Sequence, residues 1–171
     1  MKQFILITLL LFAVATGAAG QSSARTTTEK SEAEMLIRRA SKIKSSQINY
    51  AYISLNMFKQ MLNPIFAEEP MVKELFGTMK SLRRFFTTGP EGKKQLAAVL
   101  HPFMQEDEKV MNMELMTINR EADAMSVIYA GNDNILLIND SGESLSVVFV
   151  VGLSYDGFKQ IFMDSDFELD F

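Results

Sequence analysis

Few residues of this chain could do chemistry. There is one histidine, His101, and there is no cysteine. Without Cys, a thiol nucleophile, a thiolate metal site and a redox pair are excluded. A single His also excludes a multi-His zinc or copper site. A Ser-His-acid triad would have to use His101. That residue stands beside Pro102, where a helix must end or kink, and the place suits a surface or capping role better. Neither a GxxxxGK loop nor a GxGxxG turn is present, so nucleotide binding has no motif behind it. The 21 acidic residues could hold an acid–base pair, yet no two stand out by spacing. In the tail, Asp164, Asp166, Glu168 and Asp170 alternate with other residues. That alternation resembles a calcium loop but lacks its Gly and its spaced final Glu. It also resembles the last strand of an outer-membrane barrel, which the predicted helices contradict. The tail is expected to be acidic and solvated, with an added edge strand as the variant. No cofactor and no metal is expected.

Contact chemistry is what remains. The chain has 12 Met and 13 Phe. Such residues fill cores, and they also line adaptable apolar surfaces. Met57, Phe58, Met61 and Met79 are the candidate interaction surface, on a strand–helix stretch and the helix after it.

The elements that position these residues follow from pattern. Lys2, the apolar run Phe4–Ala15 and the small residues Gly17–Gly20 form the three parts of a secretory signal. Its apolar core is about a dozen residues, against roughly 20 for a membrane span, so residues 1–20 are expected to be cleaved rather than retained. No Cys follows, so no lipid anchor of the bacterial lipoprotein kind is available. The expected product is exported, periplasmic or secreted, without stable membrane insertion. The formal charge of −4 becomes −5 once Lys2 leaves with the signal. There is no basic field for nucleic acid. About 150 mature residues bury roughly two-thirds of their unfolded surface, enough for one core.

Residues 21–30 are polar and read as a disordered leader. Ser31 and Glu34 match a capping box and open an amphipathic helix over 32–44, with acids leading and bases finishing. Its basic end could touch an anionic surface; a solvated face is the commoner use. Ile48–Ser54 alternates as a strand. Ser54 can cap a short helix that Asn63-Pro64 ends. Pro70 opens a further helix carrying Val72, Leu75, Phe76, Met79 and Leu82 inward. A second strand is predicted over 83–88, a helix from Pro90 to Pro102, and a charged turn over 106–109.

After Met111 no helical stripe persists. Strands are predicted over 114–119, 125–130, 135–139 and 145–151, parted by turn clusters at 120–123, 131–134 and 140–143. Short connections make this an antiparallel four-stranded meander. The run LSVVFVVG at 145–152 has the β-branched content of a central strand. A last helix capped by Ser154 carries Phe158, Ile161 and Phe162. The fold class is α+β, with helices on one face of a mostly antiparallel sheet. One domain is expected over 31–163, with an acidic tail at 164–171.

The segments YISLNMFKQM and VVFVVG, together with SLRRFF and MELMTIN, resemble a family of small exported bacterial proteins, domain of unknown function 4252. The resemblance covers roughly residues 33–162 and implies this fold and export. Many members look like lipoproteins, and this chain departs from them by lacking the Cys. The family brings no established activity, so no functional residue is carried over. The function expected is a non-catalytic binding or protein-interaction module of the cell envelope, with an envelope protein or an apolar ligand as partner. The alternative is a hydrolase with a carboxylate-based site.

Overall fold

The computed structural model describes residues 31–57, 59–60, 77–131 and 133–153. Helix α1 spans Glu32–Ala40, and β1 spans Ile48–Ser54. β2 is Ser81–Thr87, followed by α2 at Pro90–Leu100 and a 3-10 turn at His101–Met104. The remaining strands are β3 (Lys109–Val110), β4 (Met113–Glu121), β5 (Ala124–Gly131), β6 (Asn134–Asp140) and β7 (Leu145–Val151). The signal, the leader, Phe58, Met61, the last helix and the acidic tail lie outside the described residues.

All seven strands form one sheet in the order β1-β2-β7-β6-β5-β4-β3. Every neighbouring pair is antiparallel. The meander β4–β7 follows from its short connections. Glu121 pairs Ala124 and Gly131 pairs Asn134, leaving two-residue turns. The last strand then returns to pair β2, which closes the two halves of the chain into one sheet.

β7 is paired along both edges. Its Leu145, Val147 and Phe149 are buried in the core beneath the helices. On the opposite face Val150 is buried and Val148 half-buried. One cross-strand row there, Ile53, Leu82, Val150, Ile135 and Ala130, is buried throughout. The row at the other end, including Asn49, Ser146 and Asn139, is largely polar. That gradient explains a strand apolar at nearly every position.

Gly152 ends β7 at φ +82°, a conformation that only Gly adopts at no steric cost. A Cβ there would stand 2.7 Å from the Thr78 carbonyl oxygen. The glycine thus lets the 78–80 loop press onto the strand end, where Lys80 N–H donates to the Val151 carbonyl at 2.7 Å.

Helices α1 and α2 cover one face. Ala33, Leu36, Ile37 and Ala40 of α1 join Leu96 and Leu100 of α2 over Phe85, Val147 and Phe149. Ser31 caps α1 by accepting from Glu34 N–H at 3.1 Å. The Glu34 carboxylate turns to Arg38 and leaves the reciprocal half of the capping box unused. α1 stops at Ala40, four residues before the expected end. Ser41 Oγ donates to the Arg38 carbonyl at 2.9 Å, and Lys42 and Ile43 make tight i to i−3 bonds, which close the last turn.

Two further boundaries differ from expectation. Gly77 is the last helical residue before β2, and Leu82 lies in the strand. Pairing with β7 on one side and β1 on the other outweighed the helical spacing of Met79 and Leu82. The charged turn at 106–109 gives up its last residue to β3, a two-residue strand joined to β4 by Met111 and Asn112, both at positive φ. Pro102 acts as expected, with the α-helix giving way at His101.

Candidate interaction surface

Of the expected Met and Phe surface, only Met57 and Met79 are among the described residues. Met79 is fully buried, at 0% exposure, in the loop that Gly152 admits. It belongs to the packing and cannot meet a partner. Met57 is half-buried in a helical turn, its N–H 3.5 Å from the Ser54 hydroxyl that caps it. Phe58 and Met61 lie outside the described residues. Composition alone could not separate a Met on a surface from a Met in a core.

The described acids do not converge. Asp140 accepts from Lys93 Nζ at 2.6 Å, Glu34 accepts from Arg38, and Glu106 pairs Arg120. Among the described residues no group of three or more His, Asp or Glu is placed to hold a metal. His101 is exposed at the C-cap of α2.

A shallow groove of about 440 Å³ runs between α2 and the β6–β7 turn, lined by Pro90, Lys93, Lys94, Ala97, Gly142 and Glu143. Its central cation is already committed. Lys93 Nζ donates to Asp140 Oδ1 and to the Gly142 carbonyl, each at 2.6 Å. Asp140 Oδ1 also accepts from Gly142 N–H at 2.9 Å. These bonds fasten the turn to the helix, which is a structural use of the groove.

The feature that structure adds is the outer edge of β1. Thr88 N–H donates to the Gln47 carbonyl at 2.9 Å, and Leu55 N–H to the Lys80 carbonyl at 3.2 Å. Antiparallel ladders alternate, so Asn49, Ala51 and Ile53 exchange bonds with β2. Tyr50 and Tyr52 therefore turn their backbone N–H and C=O outward. β1 ends the strand order, so among the described residues no strand meets those groups. Tyr50 is 43% exposed, and its ring lies 5.0 Å from that of Phe85.

This edge is held from behind by a buried cation. Arg83 on β2 has only 8% of its side chain exposed and lies 3.9 Å from Glu34 of α1. Its guanidinium sits 5.7 Å from the centre of the Tyr52 ring, within cation–π range. Its Nη1 has no hydrogen-bond partner among the described residues. The alternation of INYAYIS marked β1 as a strand, but nothing local could say that it would be an edge, because β2 takes β7 as its other neighbour.

No helix among the described residues is long and apolar enough to cross a membrane. No family model, no curated protein and no solved structure matches this chain.

Proposed function

We propose that this chain is an exported interaction module of the cell envelope, which takes an extended segment of another polypeptide onto the open edge of β1. The edge of β1, which no other described strand covers, carries the proposal. Strand addition draws its affinity from main-chain bonds and its specificity from alternate side chains. The outward backbone groups of Tyr50 and Tyr52 supply the first, and the half-exposed Tyr50 ring on Phe85 supplies the second. Soluble proteins ordinarily blunt such an edge with charge, Pro or a bulge, and the β1 sequence INYAYIS has none of these. Export rests on the signal pattern of residues 1–20, and membership of the domain of unknown function 4252 family on YISLNMFKQM and VVFVVG. The carboxylate hydrolase ranks second because Glu34, Glu106 and Asp140 each face a cation rather than another acid.

The test is site-specific photo-crosslinking in cells that produce the whole chain. A photoreactive phenylalanine analogue at position 50 should yield a discrete protein adduct. The same analogue at position 118, on the opposite edge, should not. Equal labelling from both positions, or none from position 50, sinks the edge reading. Mass spectrometry of the purified native chain tests export, and an N-terminus still at Met1 would refute it.

A further inference from the structure

We infer that the strand added to β1 is β1 of a second copy of this chain, joined antiparallel about a two-fold axis at Ala51. The inference rests on the edge reading above and names its occupant. An isologous interface requires that residue i meet j while j meets i. The seven residues of β1 satisfy this in one register that leaves no residue over. Ile48 faces Ser54 of the second copy, Asn49 faces Ile53, Tyr50 faces Tyr52, and Ala51 faces Ala51. The outward-turned groups of Tyr50 and Tyr52 then become the bonded pairs of the new ladder, as antiparallel geometry requires.

The side chains agree with that axis. Alanine is the smallest side chain of the strand and sits where two identical residues must approach most closely. Tyr50 against Tyr52 makes an aromatic cross-strand pair on the helix-covered side, a favourable combination. β1 has no charged residue, so no like charges meet across the axis. The nearest cation in the same row is Arg84, opposite Ala51 on β2. Two copies of it would be three strand spacings apart, roughly 14 Å, beyond the screening length of about 8 Å at physiological salt. The far edge of the sheet fails the same requirement, because β4 carries Glu114, Arg120 and Glu121 and has a register shift between Leu115 and Thr117.

The chain has no cysteine, which makes single-cysteine crosslinking unambiguous. Across the axis the two Ala51 residues form a non-bonded pair with Cα atoms about 4.5 Å apart, inside the disulfide range. Full-length Ala51→Cys should oxidise to a disulfide-linked dimer. Asn49→Cys should stay monomeric on a reducing-agent-free gel, because each Asn49 faces Ile53. If Ala51→Cys loses its native circular dichroism spectrum, Tyr50→Cys mixed with Tyr52→Cys replaces it, and the mixture should crosslink far more than either variant alone. The unsubstituted chain should sediment as a dimer. Ala51→Lys should raise the dimer dissociation constant about fivefold or more, from like charges facing each other. Mixing Ala51→Lys with Ala51→Glu should restore association.

A monomer in sedimentation together with no crosslink from either cysteine scheme overturns the second copy. So does equal crosslinking at positions 49 and 51, which means random collision. If position 50 still photo-crosslinks to a different protein, the edge reading survives and only this inference fails.

Discussion

The two edges of the sheet are built on opposite plans. At one end β4 is long, but its outer side is guarded. The two-residue β3 pairs its start, Leu115 N–H donates to the Glu108 carbonyl at 2.9 Å, and a register shift interrupts the ladder before Thr117. Arg120 reaches back to Glu106, tying the segment before β3 along the strand. At the other end β1 is uncharged, regular along its whole pairing with β2, and meets no further strand among the described residues. Guarding an edge with charges, bulges and short cover strands prevents unwanted pairing. Among the described residues one edge is guarded and the other is not, an asymmetry that core packing does not require.

Both edges belong to one sheet, and β7 lies in its interior. Phe149 is fully buried, with its strand paired on both sides. Phe149→Ala should cost about 3–5 kcal/mol in a denaturant titration, a large share of the roughly 5–15 kcal/mol available to a domain. An unchanged midpoint would mean that the two edges do not share a core.

The open edge also depends on what stands behind it. Glu34 is the acid nearest the buried Arg83. Glu34→Gln leaves that cation without a charge partner among the described residues and should cost about 1–3 kcal/mol. The β1 amides should then exchange with solvent faster than those of β4. Equal acceleration at both edges would show that the ion pair holds the whole sheet rather than this side of it.

Much of this plan is legible in the sequence. Alternation located β1 to the residue, and the turn clusters at 120–123, 131–134 and 140–143 bracket the four strands of the meander. Those signals are local: side-chain period and turn chemistry. What stayed hidden depends on distant partners. The neighbour of β2 is a strand some sixty residues later, so edge and centre could not be told apart. Met79 is buried as its helical stripe implies, but in the loop that Gly152 admits rather than on a helix, so it is lost to the interaction surface. β3 is too short to have a period. The candidate site was therefore legible as a strand and illegible as a site.

On the guarded side, Tyr129 holds the cover in place. Its hydroxyl donates to the Asp107 carbonyl at 3.1 Å, and its ring packs edge-on against Phe103 at 5.1 Å. Burial first, and then the carboxylates of Asp107 and Glu106, raise its pKa above the ordinary value, which is near 10. The folded state therefore holds the phenol proton more tightly than the unfolded chain. This contribution to stability is complete below about pH 10 and is lost as pH rises through the folded value. Tyr129→Phe should cost about 1 kcal/mol at neutral pH and flatten the alkaline part of the stability curve. An identical alkaline fall in the variant would assign the effect to other groups.

The smallest effect concerns the turn that ends β4. Ala122 is exposed and adopts φ 42°, where an L-residue with a Cβ is strained by about 1–2 kcal/mol. Glycine removes that strain but adds freedom to the unfolded chain, at a cost of about 0.4–1 kcal/mol. No packing is lost, because the methyl group faces solvent. Ala122→Gly should therefore stabilise the chain by about 0.5–1 kcal/mol, seen as a higher denaturant midpoint at unchanged slope. The gain should fall on the guarded side, slowing amide exchange in β4 and β5 while β1 exchanges as before. A drop in midpoint would show that the turn is relaxed as it stands, and that the β4 edge is guarded without stored strain.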